Sequence, residues 1–227
     1  MKENKVVDRE LSIYIKGGYD HYRYLWELIH NSYRVIQNVY IFKHFDDYCY
    51  QLNSDKQEDK KEIYWNASYY EKLIDYIKII VAFETFNKAL LLKKGYVVHN
   101  INHKVNKVLN DKQRRGIPIL VRELLPTETN IVYEKNSLAN YFTPNASTIN
   151  FSHLLNENYQ DILQQDETLV YYLKDINRKR NRLHLYSDFR GAFSVQDHIQ
   201  KWATIKDLCI KTIWKELEEI DHKLKEF

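Results

Sequence analysis

Residues 177–186, NRKRNRLHLY, set Arg178, Lys179, Arg180 and Arg182 beside Asn177, Asn181 and His184. A histidine, with an ordinary pKa of about 6.5, can take or give a proton near neutrality, and a guanidinium matches the geometry of phosphate oxygens. A side-chain amide beside them has both a donor and an acceptor with which to orient a ligand. These residue types can perform proton-transfer chemistry on a phosphodiester or grip a polyanion. The plain alternative is a solvated helix end whose cations complement the C-terminal dipole.

Helical phase divides the run. At about 100° per residue, Leu169, Leu173, Ile176, Arg180 and Leu183 share one stripe, with Asn177, Asn181 and His184 along its shoulder and Arg178 and Arg182 on the opposite face. A guanidinium on an apolar stripe is costly unless it is paired or lies in a cleft. Arg180 and Asn181 stand four and three residues before His184, so a regular helix brings all three to one ligand.

The elements that must position these residues are helical. The chain has 5 Gly and 3 Pro in 227 residues, which favours long uninterrupted helices over a turn-rich sheet. From Asp20 apolar residues recur at three and four positions, and the helix runs, with room for a break, to about Leu52. A second helix covers 62–94 and stops at Gly95, with Lys93 and Lys94 complementing its C-terminus. A third covers 166–186 behind an acidic start, and a fourth, 195–225, carries the stripe of Trp202, Ile205, Cys209, Ile213, Leu217 and Ile220. The fold class expected is all-α: an antiparallel four-helix bundle in a single domain, 1–227, with extra short helices. Residues 1–18 form an N-terminal arm, and 127–165, rich in Asn, Ser and Thr, form a mid-chain insertion.

On these residues the chain resembles the HEPN domain family, helical-bundle proteins that carry an R-x(4-6)-H signature on a late helix; many are ribonucleases of toxin–antitoxin, abortive-infection and CRISPR-associated systems. The likeness spans 20–110 and 166–226, and His184-Leu185-Tyr186 is similar to the H-x-Y ending of one toxin branch. Arg178 meets the family spacing, with five residues before His184, whereas Arg180-Asn181, similar to the family's Arg-Asn pair, has three. Helical phase favours Arg180 as the partner and spacing favours Arg178.

The resemblance implies RNA cleavage without a metal or other cofactor, by attack of the ribose 2′-hydroxyl on the adjacent phosphate. His184 would transfer a proton, Arg178 or Arg180 would stabilise the phosphorane, and Asn181 would orient the phosphate. Asn177, Lys179, Arg182 and Tyr186 would contact the RNA. It also implies a homodimer with the motif helix near the twofold axis, and an antitoxin or regulatory partner. The alternative is a HEPN-like bundle that binds nucleotide or RNA, or serves as a scaffold, without catalysis. A DNA-binding regulator is disfavoured because no helix-turn-helix precedes the basic helix.

Other features read more plainly. His99 and His103 have the spacing of a zinc pair but no third ligand nearby, so no metal site is expected. Lys112, Arg114 and Arg115 read as a solvated cluster that, with Lys93 and Lys94, would supply phosphate contacts if RNA binds. The formal charge of +3 permits a nucleic-acid partner without demanding one. Cys49 and Cys209 are far apart and suit a reducing, cytoplasmic compartment, and no apolar run approaches the ~18 residues of a membrane span.

Overall fold

The first helix breaks at Asn38 and Val39, without any proline or glycine to break it. In the computed structural model, which describes residues 19–47, 49, 58–124, 147–181 and 195–227, α1 spans Tyr19–Gln37 and a short α2 spans Tyr40–Lys43. Val39 between them is extended, at φ −66° and ψ 122°, and has no side chain that can cap α2. The cap comes from elsewhere: Asp75 Oδ1 accepts the N–H of Tyr40 at 2.7 Å and Oδ2 that of Ile41 at 2.9 Å. Two amide donors of the new helix are thereby satisfied by one fully buried carboxylate. Lys78 completes the bracket, donating to the Asn38 carbonyl at 2.7 Å and lying 3.5 Å from Asp75 Oδ1. Burial pushes the Asp75 carboxyl above its usual range, against the lowering pull of the two amides and Lys78.

The remaining helices are α3 (Glu58–Lys93), α4 (Lys107–Arg114), α5 (Val121–Leu124), α6 (Phe151–Leu154), α7 (Glu157–Leu163), α8 (Glu167–Asn181) and α9 (Val195–Leu224). Among the described residues there is no strand; Tyr96 forms an isolated bridge with Leu120 and His99 one with Thr148. The all-α class is therefore as the composition predicts. No helix among the described residues is long and apolar enough to cross a membrane.

The chain divides into two compact units. One comprises 1–29, 84–164 and 217–227, the other 30–83 and 165–216.

In the first unit α3 ends where the sequence predicts. Gly95 takes φ +77°, its N–H donates to Leu92 O at 3.0 Å and that of Tyr96 to Leu91 O at 2.9 Å, a Schellman ending. A second such ending closes α4: Gly116 takes φ +74°, and Ile117 N–H donates to Lys112 O at 3.1 Å. Between these ends the chain is held by amide side chains instead of a sheet. The buried Gln113 donates to His99 O and accepts from Ile101 N–H, both at 2.8 Å, and Asn110 donates to Ile101 O at 2.6 Å. This answers the backbone polar groups that an unpaired extended segment would leave buried.

The described part of the segment expected as an insertion carries α6 and α7 and buries Ile149, Phe151, Leu154, Tyr159 and Leu163. Asn156 caps α7 by accepting from Tyr159 N–H at 3.1 Å, and with Asn158 it donates to the Gly116 carbonyl, each at 3.2 Å.

In the second unit the side chains converge on Trp202, which is 1% exposed on α9. Tyr76 of α3 stacks on it at 5.8 Å between ring centroids, and Phe42 of α2 meets it edge-on at 6.1 Å. Tyr33 of α1 packs on Trp214 at 5.2 Å, a turn or so from the end of this unit's share of α9. Such a hub places about 3–5 kcal/mol on the Trp202 side chain if truncated to Ala. Leu169, Leu173 and Ile176 form the buried stripe of α8, and Cys209 is fully buried, its thiol pushed up by burial and so unreactive.

Candidate functional site

Helix α8 begins at an acidic cap: Asp166 Oδ1 accepts from Leu169 N–H at 3.1 Å. The apolar stripe then sets the rotation of the helix, and the motif falls on its last turn. Arg182, His184 and Tyr186 lie outside the described residues. Asn177, Arg178, Lys179, Arg180 and Asn181 lie within them, and each takes a distinct environment.

Asn177 continues the buried stripe at 8% exposure, and its Oδ1 has no hydrogen-bond partner among the described residues. Arg180, one turn on, is half-buried, as its place on that stripe requires. Its guanidinium is held by a neighbouring amide: Nη2 and Nε donate to Asn181 Oδ1 at 2.9 and 3.2 Å. Two donors converging on one acceptor orient the guanidinium. With its oxygen so engaged, Asn181 keeps its N–H₂ group as the donor it can offer a ligand.

Arg178 and Lys179 lie off this shoulder by phase and are engaged there by Asp175, which is not part of the motif. Asp175 accepts from Lys201 of α9 at 2.7 Å and from Arg178 at 3.3 Å, and pairs with Lys179 at 3.0 Å. Burial acts to raise this carboxyl, but the hydrogen bonds from Lys201 and Lys179 outweigh it, and Asp175 titrates below its usual range. Burial, first, and the neighbouring Lys201 charge lower Lys179, against the pull of Asp175. The sequence does contain a signal for this centre, since Asp175 stands at i−3 from Arg178 and i−4 from Lys179. Lys201 carries no such signal, being 26 residues away.

Four of the other expected basic contacts are engaged within the chain. Lys93 pairs with Glu219 at 2.7 Å, Lys94 donates to Ile162 O, Lys112 pairs with Glu123 at 3.3 Å, and Arg115 donates to Asp111 O at 3.2 Å. His99 is buried on an extended segment and His103 lies exposed in a turn, so the helical spacing that would bring them onto one metal does not apply. Among the described residues no group of three His, Cys, Asp or Glu side chains is placed to hold a metal ion.

Comparison of the chain with family models, with curated proteins and with solved structures finds no match.

Proposed function

We propose that the protein is an RNA-cleaving enzyme of HEPN type, a helical bundle that works as a homodimer with its motif helix near the twofold axis, serving defence or growth arrest under an antitoxin or regulatory partner. The observation that carries this reading is the division of labour between the two arginines. Asp175 engages Arg178, while Arg180, half-buried on the apolar stripe, has no carboxylate partner among the described residues and is oriented by Asn181. A fixed guanidinium without a counter-charge is suited to a phosphorane that gains negative charge in the transition state.

In this scheme Arg180 and the Asn181 N–H₂ group hold the non-bridging phosphate oxygens. His184 moves the proton: the 2′-hydroxyl oxygen bonds to phosphorus, the bond from phosphorus to the 5′-oxygen breaks, and that oxygen leaves protonated. The products are a 2′,3′-cyclic phosphate and a 5′-hydroxyl. Replacing His184 with Ala should abolish cleavage of single-stranded RNA in EDTA while leaving secondary structure and oligomeric state unchanged.

A second reading, RNA or nucleotide binding without cleavage, draws on the same pair. The arginine with the family spacing, Arg178, is the one that Asp175 engages, and a site built on Arg178 alone would be blunted. Equal RNA affinity with no cleavage in both wild type and His184→Ala favours it.

A further inference from the structure

The buried stripe of α8 leaves an opposite face whose residues differ from a plain solvated surface. Tyr171, Lys174 and Arg178 follow one another at i, i+3 and i+7, about 10 Å of helix. Tyr171 is 64% exposed, an unusual cost for so large an aromatic surface on a helix that has an apolar stripe available. Its ring meets Tyr172 edge-on, 5.6 Å between centroids at 65°, so its orientation is restrained by a neighbour. Lys201 Nζ lies 5.7 Å from the centre of the Tyr172 ring on one side and 2.7 Å from Asp175 on the other.

Charge on this face is one-sided. Arg178, Lys179 and Lys201 stand around one carboxylate, Asp175, which holds them together without neutralising them, and Lys174 is exposed on the same helix. Glu167, exposed one turn before Tyr171, sets the limit of the cationic stretch. From Tyr171 onward the face runs toward the motif, one aromatic plane followed by cations.

We infer that this face of α8, with Lys201 of α9, is a track for single-stranded RNA: Tyr171 stacks a base, Lys174 binds a phosphate, and Arg178 and Lys201 exchange part of their contact with Asp175 for phosphate. The inference rests on the RNA reading above and adds the residues that deliver the strand to the motif. Single strands are the occupant that the aromatic residue selects, because only a splayed base presents its face to a tyrosine ring. A duplex would use the cations and leave Tyr171 idle. Asp175 is a positioning residue here: it fixes the spread of Arg178 and Lys201.

The test is fluorescence anisotropy with a labelled single-stranded 12-mer RNA and a duplex of equal length, titrated across KCl. The full-length His184→Ala protein serves as the background so that the RNA stays intact. Tyr171→Ala should weaken single-strand binding about tenfold and Tyr171→Phe should restore it. Lys174→Gln with Lys201→Gln should lower the slope of log affinity against log salt by about 1.4, two single-strand phosphate contacts. Tyr171 and Lys174 are exposed and Lys201 gives up its contact with Asp175, so circular dichroism and a urea denaturation verify that each variant keeps the fold under the binding conditions. Unchanged affinity in Tyr171→Ala, an unchanged salt slope in the double variant, or preference for the duplex overturns the track and leaves the cleavage reading standing. Absence of RNA binding in the background protein overturns both.

Discussion

Lys201 Nζ on α9 lies 2.7 Å from Asp175 Oδ2 on α8, and through that contact the carboxylate gathers the cations at the end of the motif helix. Asp175 is the acceptor for Lys201 and Arg178 and the partner of Lys179, so removing its charge leaves three cations in mutual repulsion. Its folded pKa lies below the ordinary carboxyl range. The stability it contributes is therefore present above a pH near 3.8 and lost as pH falls through the folded value. Asp175→Asn should lower stability by about 1 kcal/mol at pH 7, discounted for the partly exposed lysines. Denaturation of the two proteins should converge as pH falls below that window; a difference that persists at acid pH argues against the ion cluster as its source.

Asp75 carries the opposite sign. Burial raises its folded pKa, so the stability linked to its protonation is fully present below about pH 3.8 and is lost as pH rises through the folded value. The stability of wild type relative to Asp75→Asn should fall across that rise. Asp75→Ala, which strips both capping bonds from Tyr40 and Ile41, should cost about 2 kcal/mol at neutral pH, read by urea denaturation. A loss under about 0.5 kcal/mol would show that the cap is not what holds the break.

The two positive-φ glycines differ in what surrounds them. A Cβ at Gly95 meets nothing within 4 Å, so Gly95→Ala should cost only the left-handed backbone, about 1 kcal/mol. A Cβ at Gly116 would overlap Asn156 Nδ2, and moving that amide disturbs both its bond to the Gly116 carbonyl and its cap on Tyr159. Gly116→Ala should cost about 2–3 kcal/mol, the backbone plus the cap. Equal thermal shifts for the two variants would contradict this difference.

Much of this architecture was legible where its cause is local. The end of α3 follows from Gly95 and the lysines before it, and the rotation of α8 follows from Leu169, Leu173 and Ile176, so the half-burial of Arg180 could be read from phase alone, whereas Asn177, on the shoulder by phase, is buried. The break after Gln37 could not, because its cause, Asp75, is 35 residues from Tyr40. The amide bracket of Gln113 and Asn110 has no periodic signature; it is visible only once residues 99–101 are seen beside α4. Lys93, Lys94 and Lys112 looked available because their partners, Glu219, Ile162 and Glu123, lie elsewhere in the chain. Helical phase favours Arg180 and the spacing of the motif favours Arg178; what neither contains is that Asp175 engages Arg178 while Asn181 holds Arg180.

That distinction gives a kinetic prediction. Arg180→Lys, which keeps the charge but loses the planar pair of donors to Asn181, should lower the rate of RNA cleavage at saturating RNA by about 100-fold. Arg178→Lys, which keeps a cation for Asp175, should change that rate less than threefold. Single-turnover cleavage with a labelled substrate measures both, and the reverse order would assign the transition-state charge to Arg178.

The most direct test of the central claim is cleavage of a labelled single-stranded RNA in the presence of EDTA by wild type and by His184→Ala. Wild type should release a 2′,3′-cyclic phosphate and a 5′-hydroxyl and the variant no product, the two proteins having the same circular dichroism and the same dimer mass. Cleavage by the variant at the wild-type rate, or no cleavage by wild type across a panel of structured and unstructured RNAs, would contradict it.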